Sequence, residues 1–384
     1  MTELLSPAGT LKNMRYAFAY GADAVYAGQP RYSLRVRNNE FNHLDVMAGA
    51  IAEAHAQNKQ FYIASNISPH NDKIRSYLRD MAAVIEMQPD ALIMSDPGLI
   101  MMVREKWPEM PIHLSVQANA TNYATVKFWH TQGIVRTILS RELGLNEIEE
   151  IRQHCPEMEL EVFVHGSLCI TYSGRCLLSG YMNHRDPNQG ACTNACRWKY
   201  NAEDATQTET GDIVPTKMGV VSLKIEGRTK SHYYAARTAQ VYRRAIDNAE
   251  AGKPFDVNMM VELDHLASRG YTEGFYRRHV PQETQNYTQS ASRNPNQQFV
   301  GEINAVEADK GWLTVDVKNR FEHGDTIELI TPNGNMTFNL EALENLKGDK
   351  MDAAPGSGHI VRIPLPDGIS LPEDGGYAML MRYM

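Results

Sequence analysis

Short apolar runs that end in polar residues alternate with helical stretches over roughly the first 235 residues of the chain. Most of the stretches between these runs repeat apolar residues at helical spacing, and Gly21 is the expected C-terminal stop of the first helix. Eight β/α units over this length predict a (β/α)8, TIM-like barrel of the α/β class. No G-x-G-x-x-G motif follows a strand, so a doubly wound dinucleotide-binding fold is not supported. The eight predicted strands are ELLSPAG, DAVYAG, FYIASNI, ALIMSD, IHLSVQAN, TILSREL, EVFVHG and VSLKIEG.

The pattern changes near residue 298 to short alternating runs broken by Gly, Asn and Pro. Such runs predict a small antiparallel β-barrel or sandwich. A polar segment precedes them, after a region that reads as helical. We therefore predict a barrel domain over residues 1–285, a linker over 286–297 and a small antiparallel β-barrel domain over 298–384.

Composition and charge narrow the class of protein further. With 42% hydrophobic and 22% charged residues, the chain can bury a sizeable core. The net charge of −8 argues against nonspecific binding of nucleic acid, although it leaves room for a local basic face. The opening residues lack an apolar leader, and no stretch approaches the length of a membrane span. We expect a cytoplasmic protein.

Polar residues collect at the predicted strand ends, where (β/α)8 barrels carry their chemistry. Any one of them could be an ordinary residue of the barrel rim, but their recurrence on nearly every strand predicts a polar pocket. They are Ser6, Tyr26, Asn66, Asp96, Gln117, Asn119, Arg141, Glu142, His165, Lys224, Glu226 and Arg228.

Four of the five cysteines fall within 28 residues, at Cys169, Cys176, Cys192 and Cys196, and only Cys155 lies outside. Disulfides are rare in the cytosol, so a cluster of this kind favours a metal site. Four thiolates suit either a tetrahedral zinc ion or an iron–sulfur cluster. Only the last pair has the close spacing of a zinc ribbon. The wide spacing of the others favours iron–sulfur, with zinc as the alternative.

The run EVFVHGSLCITYSGRCLLS, residues 161–179, resembles the signature of peptidase family U32. The resemblance extends to the opening of the chain, to DALIMSDPGLI, LSVQANA and SLKIEGRTKS, and into the C-terminal β region, so it covers nearly the whole chain. The residues that carry the signature are Glu161, Phe163, Gly166, Ser167, Leu168, Cys169, Gly174, Cys176, Leu178 and Ser179.

This resemblance implies an RNA-modifying enzyme. Similar members hydroxylate C5 of the wobble uridine of tRNA, depend on prephenate and need the iron–sulfur assembly machinery. It further implies that the four clustered cysteines hold a [4Fe–4S] cluster in a segment spanning residues 166–198. Expected partners are therefore prephenate as co-substrate and the anticodon loop of tRNA.

Prephenate is a dicarboxylate, and guanidinium groups bind carboxylates in a bidentate manner. We accordingly predict two sets of residues around the barrel mouth. The catalytic set is Arg37, Arg141, Glu142, His165, Lys224, Glu226 and Arg228. The substrate-binding set is Arg35, Tyr26, Asn66, Gln117 and Asn119.

Basic residues also run along the helix that follows the last barrel strand. We predict that Lys230, Arg237, Arg243 and Arg244 contact RNA, with Tyr233 available for stacking, although an ordinary solvated helix would read the same way. The C-terminal β module is a second candidate RNA platform by analogy of fold alone.

Two other functions stay open. One is a collagenase-like peptidase, although the sequence has no H-E-x-x-H, no G-x-S-x-G and no evident Cys–His pair outside the cluster. The other is a noncatalytic RNA-binding protein with a structural zinc site.

One segment departs from the family pattern. Between the last clustered cysteine and KIEGR, this chain has a short, polar stretch where similar chains have a strand and a helix. Either the chain lacks that element or the printed sequence skips residues there. We favour the second reading, which predicts a break near Val214 to Thr216 with Cα atoms farther apart than about 3.8 Å.

Overall fold

The computed structural model describes residues 2–34, 40–167, 171–178, 187–189, 219–266, 276 and 297–384. The chain divides into two compact units, the first built mainly from Ala22–Pro254 and the second mainly from Ser292–Met384. No described helix combines the length and the apolar character needed to cross a membrane.

The first unit is a closed barrel of eight parallel strands, which confirms the predicted fold class. Each strand pairs with the next along the chain, and the last strand pairs with the first. The strands are β1 Glu3–Pro7, β2 Ala24–Gly28, β3 Gln60–Ser65, β4 Ala91–Met94, β5 Ile112–Leu114, β6 Arg136–Ile138, β7 Glu159–His165 and β8 Ser222–Ile225.

Helices alternate with these strands, and their ends follow ordinary capping chemistry. The Asp96 carboxylate accepts a hydrogen bond of 2.9 Å from the amide of Leu99, and Pro97 takes the first helical position. Asp96 therefore caps a helix. The helices are α1 Leu11–Ala19, α2 Leu44–Ala56, α3 Asn71–Ile85, α4 Pro97–Lys106, α5 Tyr123–Thr131, α6 Leu145–His154 and α7 His232–Glu250.

Successive side chains of each strand point to opposite faces, and this alternation separates two apolar cores. Residues such as Val25 and Ile63 point outward and pack against the helices. Their neighbours Ala24, Tyr26 and Tyr62 point inward and form the apolar part of the barrel interior. This alternation decides which strand residues can reach a site inside the barrel.

The second unit contains helix α8, Asn258–Asp264, and a seven-stranded antiparallel sheet. The antiparallel character predicted for the C-terminal module is confirmed. Its strands follow the linear order β13-β12-β17-β9-β10-β16-β14, with β11 and β15 forming a separate pair, and no pairing among the described residues closes this sheet into the predicted barrel. One apolar core fills it. The strands are β9 Gln297–Glu307, β10 Trp312–Val317, β11 Phe321–Glu322, β12 Thr326–Thr331, β13 Gly334–Asn339, β14 Glu344–Asn345, β15 Ala353–Ala354, β16 Ile360–Pro364 and β17 Met379–Tyr383.

Two expectations fall on residues that the structure does not describe. The predicted break at Val214–Thr216 lies outside the described residues, as does all of the predicted 286–297 linker except Gln297.

Candidate active site at the carboxyl end of the barrel

Two aromatic rings and a lysine form the floor of the barrel mouth. The ammonium nitrogen of Lys224 lies 4.2 Å from the centre of the Tyr26 ring and 5.7 Å from that of Phe163. It also donates a hydrogen bond of 2.7 Å to Glu161 Oε1, and both side chains are buried. Burial lowers the pKa of Lys224, while the Glu161 carboxylate opposes that shift. The floor therefore carries a positive charge whose counterion lies inside the barrel.

Two guanidinium groups lie over these rings. The central carbon of Arg141 is 4.1 Å from the Phe163 ring centre, and that of Arg228 is 5.5 Å from the Tyr26 ring centre. Arg141 follows β6 and Arg228 follows β8, so both belong to the carboxyl end of the barrel. Arg141 forms no ion pair with any carboxylate in the described part of the chain. Its guanidinium can therefore receive an anionic ligand.

Gly28, at the end of β2, makes room for Arg228. The guanidinium donates a hydrogen bond of 2.9 Å to Ser33 Oγ, and it passes directly over the glycine. A β-carbon on Gly28 would lie 2.4 Å from Ser33 Oγ and 2.8 Å from Arg228 Nη1. A side chain at this position would displace the arginine from the mouth.

Glu226 is oriented by Tyr26. The tyrosine hydroxyl donates a hydrogen bond of 3.0 Å to Glu226 Oε2 and contacts the carbonyl of Ile225 at 3.1 Å. Burial and the neighbouring Glu226 carboxylate raise the pKa of Tyr26 well above its ordinary value. The hydroxyl therefore stays protonated and holds Glu226 as an acceptor beside the floor.

One described part of the cysteine segment, residues 171–178, docks on the ends of β5 and β6. The amide of Ser173 donates a hydrogen bond of 2.8 Å to Glu142 Oε1. Gly174 has a φ of +73°, and a β-carbon there would lie 2.1 Å from the carbonyl oxygen of Gln117. Only glycine allows so close an approach of two backbones. This explains why glycine stands at position 174.

A second piece of the segment, residues 187–189, reaches the end of β3. The side-chain amide of Asn188 donates 2.9 Å to the carbonyl of Cys176, and the carbonyl of Asn188 accepts 3.0 Å from the amide of Ser68. The segment thus contacts the loops after three strands, β3, β5 and β6. The described pieces therefore lie across the carboxyl end of the barrel.

Cys176 is a half-buried free thiol on this docked segment. Cys169, Cys192 and Cys196 lie outside the described residues. No cluster of three or more metal-binding side chains occurs within the ranges that the structure describes. The thiol chemistry of the four-cysteine set fits an iron–sulfur cluster, and the position of Cys176 is compatible with a ligand at the barrel mouth.

His165 does not point into the mouth, contrary to prediction. The pairing of β7 with β8 shifts between Phe163 and His165, and the imidazole turns outward towards α7. There its ring centre lies 5.6 Å from those of both Tyr234 and Tyr242. Burial lowers the pKa of His165 to about 4, so the ring is neutral at pH 7.

Several predicted polar residues hold the rim together. Asn66 accepts from the amide of Leu34 at 3.3 Å and donates to Ser115 Oγ at 3.3 Å. Asn119 has a left-handed backbone and donates to Ser140 Oγ at 2.9 Å. These contacts stabilise the loops, and they leave any substrate-binding role of the two amides as a prediction.

Glu142 and Gln117 hold the cysteine segment through the contacts to Ser173 and Gly174 described above. The catalytic and substrate-binding roles assigned to them stay predictions. Arg35 and Arg37 lie outside the described residues.

Helix α7 does not present the predicted basic face. Arg237 is only 1% exposed, and Tyr233 is buried with it because positions four apart share the inward face of the helix. Arg243 is paired with Asp23 at 2.9 Å and with Asp247 at 2.7 Å. The assignment of Arg237 and Tyr233 to an RNA-contacting surface is therefore wrong. Lys230 is exposed and Arg244 is half-buried, so their RNA contacts stay predictions.

A buried charge network in the amino-terminal half of the barrel was not predicted. Arg136 contacts Glu3 at 2.6 Å, Glu159 at 2.8 Å and Glu161 at 3.4 Å. The hydroxyl of Tyr62 donates to Glu3 at 2.7 Å. Charged residues at inward-facing positions of otherwise apolar strands were the available signal. Through Glu161 this network supports the lysine on the floor of the mouth.

The fold and the site define a class: a (β/α)8-barrel protein with guanidinium groups and a cysteine-bearing segment at the carboxyl end of its strands. Residues 9–286 match the model of peptidase family U32, and residues 295–382 match that of the peptidase family U32 C-terminal domain. The chain belongs to peptidase family U32.

Relatives with curated names are similar over nearly the full length. The tRNA hydroxylation protein P of Escherichia coli strain K12 is 56% identical over 443 residues, covering 99% of this chain and 96% of that protein. The protein of the same name from Haemophilus influenzae is 53% identical over 445 residues, with the same coverage of both chains. The tRNA hydroxylation protein P1 of Bacillus subtilis is 32% identical over 393 residues, covering 94% of this chain and 92% of that protein.

The alignment with the Escherichia coli protein is longer than the 384 residues of this chain. That relative therefore contains residues that have no counterpart here.

Proposed function

We propose that this chain is a tRNA hydroxylase that forms 5-hydroxyuridine at the wobble position in a prephenate-dependent, iron–sulfur-dependent reaction. The observation that carries the proposal is the docking of the cysteine segment on the same barrel end that presents Arg141, Arg228 and Glu226. Full-length similarity to proteins named for tRNA hydroxylation supports the substrate class.

Prephenate would bind over the aromatic floor. Arg141 and Arg228 are the two described guanidinium groups above Phe163 and Tyr26, and a dicarboxylate offers one carboxylate to each. Lys224 adds a third positive charge, 4.2 Å from the centre of the Tyr26 ring. The predicted Arg35 and Arg37 would extend the same basic set.

Cys169, Cys176, Cys192 and Cys196 would hold a [4Fe–4S] cluster, with zinc as the less favoured occupant. When bound, such a cluster supplies electron transfer or fastens the segment to the barrel. The chain's own contribution is the docking of Cys176, which depends on the Ser173 and Gly174 contacts.

Hydroxylation replaces the C5 hydrogen of uridine by a hydroxyl group, which is a two-electron oxidation of the ring. The oxygen atom and the acceptor of the two electrons must come from a co-reactant, and the C5 hydrogen leaves as a proton. The chain's own part in this step is therefore to supply a proton acceptor. Glu226 is suited to this role because Tyr26 donates to one of its oxygens and thereby orients the carboxylate at the edge of the floor. A target base in an anticodon loop can leave its stack and enter the barrel mouth at lower cost than a base in a duplex.

The peptidase alternative fits the described residues poorly. The imidazole of His165 faces Tyr234 and Tyr242 outside the barrel, away from the mouth. Cys155, the cysteine outside the cluster, is buried at the end of α6, and burial raises the pKa of its thiol. A protonated thiol at that location is a poor nucleophile.

The test is complementation of an Escherichia coli strain that lacks its tRNA hydroxylation protein P. Nucleosides from its tRNA are measured by mass spectrometry with this chain supplied, with an Arg228→Ala variant supplied and with an empty vector. We expect 5-hydroxyuridine or its derivatives to return only with the unmodified chain. Their absence despite soluble, cluster-loaded protein would refute the proposed function.

A further inference from the structure

The turn Tyr172–Arg175 combines an anchored backbone with outward-facing side chains. Ser173 is 5% exposed and points into the structure, whereas the neighbouring Tyr172 is 66% exposed and Arg175 is also exposed. The amide of Arg175 donates 3.1 Å to the carbonyl of Tyr172, which closes the turn. The anchor and the two displayed side chains thus belong to one local unit.

The anchors place this unit at the barrel mouth. Glu142, which accepts from the amide of Ser173, follows β6, and Gln117, whose carbonyl abuts Gly174, follows β5. Two contacts on adjacent residues restrict the backbone of the turn. The positions of Tyr172 and Arg175 are therefore fixed relative to the ends of the barrel strands.

Packing does not explain the two displayed side chains. Within the described part of the chain, the Tyr172 ring contacts no other aromatic ring or cation, and Arg175 forms no ion pair. An exposed aromatic ring on a restrained backbone gains little from folding, since burial of apolar area is what stabilises such a ring. A ligand at the mouth would supply the missing contact surface.

We propose that Tyr172 and Arg175 form a docking surface for single-stranded RNA: the tyrosine ring stacks on an unpaired base, and the guanidinium binds the adjacent phosphate. This inference rests on the proposed function and names how its substrate is held. Stacking on a restrained aromatic side chain is a common mode of binding unpaired bases. Because the whole chain carries a net charge of −8, RNA needs local cations such as Arg175 for its phosphates.

Binding of a hairpin RNA with the sequence of a tRNA anticodon stem–loop tests this surface. The dissociation constant is measured by fluorescence anisotropy for the unmodified protein and for Tyr172→Ala, Tyr172→Phe and Phe128→Ala. Phe128, on the outer helix α5, is 54% exposed and serves as the matched control. We expect Tyr172→Ala to weaken binding between about fivefold and about 150-fold, with Tyr172→Phe and Phe128→Ala within about twofold of the unmodified protein.

A second variant covers the case in which loss of Tyr172 disturbs folding. Arg175→Gln keeps the turn and removes the charge, so the slope of log affinity against log salt should become shallower by about one. Unchanged affinity in Tyr172→Ala together with an unchanged salt slope in Arg175→Gln overturns the inference.

The outcomes separate this inference from the proposed function. If tRNA is hydroxylated while both variants bind RNA normally, the docking surface is wrong and the proposed function stands. If the unmodified chain neither binds the hairpin nor restores 5-hydroxyuridine in the complementation strain, both are wrong.

Discussion

Replacing Glu161 with Gln tests whether the buried pair under the barrel mouth holds Lys224 in place. Glu161 Oε1 lies 2.7 Å from Lys224 Nζ, and the two side chains are 0% and 4% exposed. The amide keeps the shape of the carboxylate and removes its charge. Arg136 retains Glu3 and Glu159 as charge partners, so it is mainly Lys224 that is left without a counterion. Removing one partner of a buried pair costs about 3–5 kcal/mol, and we expect a loss of unfolding free energy in that range.

The size of the loss should depend on pH in a defined direction. Burial lowers the pKa of Lys224, and Glu161 opposes that shift, so Glu161→Gln lowers the pKa further. A lysine whose folded pKa lies below its unfolded value releases a proton on folding, and stability then rises with pH between the two pKa values. In the variant, the pH range between the folded and unfolded pKa values of Lys224 starts at a lower pH, because the folded pKa is lower. The difference in stability between the variant and the parent protein should therefore shrink as pH rises from 7 towards the unfolded lysine pKa of about 10.4.

Urea unfolding followed by tryptophan fluorescence measures this in a Trp312→Phe background. Of the remaining tryptophans, Trp129 belongs to the apolar core between the barrel strands and the helices, and Trp107 packs against it, so their signal reports the barrel. The double variant Glu161→Gln/Lys224→Met removes both charges and should be more stable than Glu161→Gln by about 1–3 kcal/mol. A loss below about 0.5 kcal/mol in the single variant, or additive losses in the double variant, would refute the reasoning.

Three further outcomes follow from individual contacts. Gly174→Ala places a β-carbon 2.1 Å from the carbonyl oxygen of Gln117 at a φ of +73°. We therefore expect this variant to lose its cluster and its hydroxylation activity. The control Gly49→Ala has nothing within 4 Å of the added carbon, so it should leave both unchanged. Arg141→Ala and Arg228→Ala should each lower hydroxylation by at least about 30-fold while the cluster absorbance stays intact. The same is expected of Arg37→Ala on the sequence alone, since Arg37 lies outside the described residues. Arg79→Ala on the exposed face of α3 is the control. The folded pKa of His165 is about 4, which lies below its unfolded value. As pH falls from 6.5 to 4, the parent protein should therefore lose about 3 kcal/mol of unfolding free energy relative to His165→Gln. Equal profiles of stability against pH for the two proteins would contradict this pKa.

The barrel was predictable from sequence because its signals are local and repeated. Eight apolar runs with helical stretches between them specify strands and helices one at a time, and Gly21, with a φ of +102°, ends the first helix as expected. The antiparallel module was predictable for a similar reason, because alternation with a period of two is clear in strands such as β10, β13 and β16.

Side-chain direction at the strand ends was less predictable. His165 and Phe163 stand two residues apart and would share a face in a regular strand, but the irregular pairing with β8 turns the imidazole outward. A bulge of this kind depends on the neighbouring strand and leaves little signal in the sequence. Arg237 was misplaced for a related reason, because a charged residue in a helix is usually exposed, and this one is buried.

The interior network was not predicted because the polar residues expected to form the site stand at the strand ends, whereas this network lies towards the strand beginnings. Glu3, Arg136 and Glu161 each occupy inward positions, and their mutual contacts join strands that are far apart in sequence. Only closure of the barrel brings them together. The docking of the cysteine segment was also not predictable, because its contacts come from the loops after β3, β5 and β6, which only the assembled sheet brings together.

The most direct test of the account is the metal content of anaerobically purified protein, measured with its absorbance near about 400 nm. The chain and five single variants are compared: Cys169→Ser, Cys176→Ser, Cys192→Ser, Cys196→Ser and, as the control, Cys155→Ser. We expect about four iron and four sulfide per chain in the unmodified protein and in Cys155→Ser, with loss of both in each of the other four variants. Stoichiometric zinc in place of iron, or a cluster that survives all four substitutions, would contradict it.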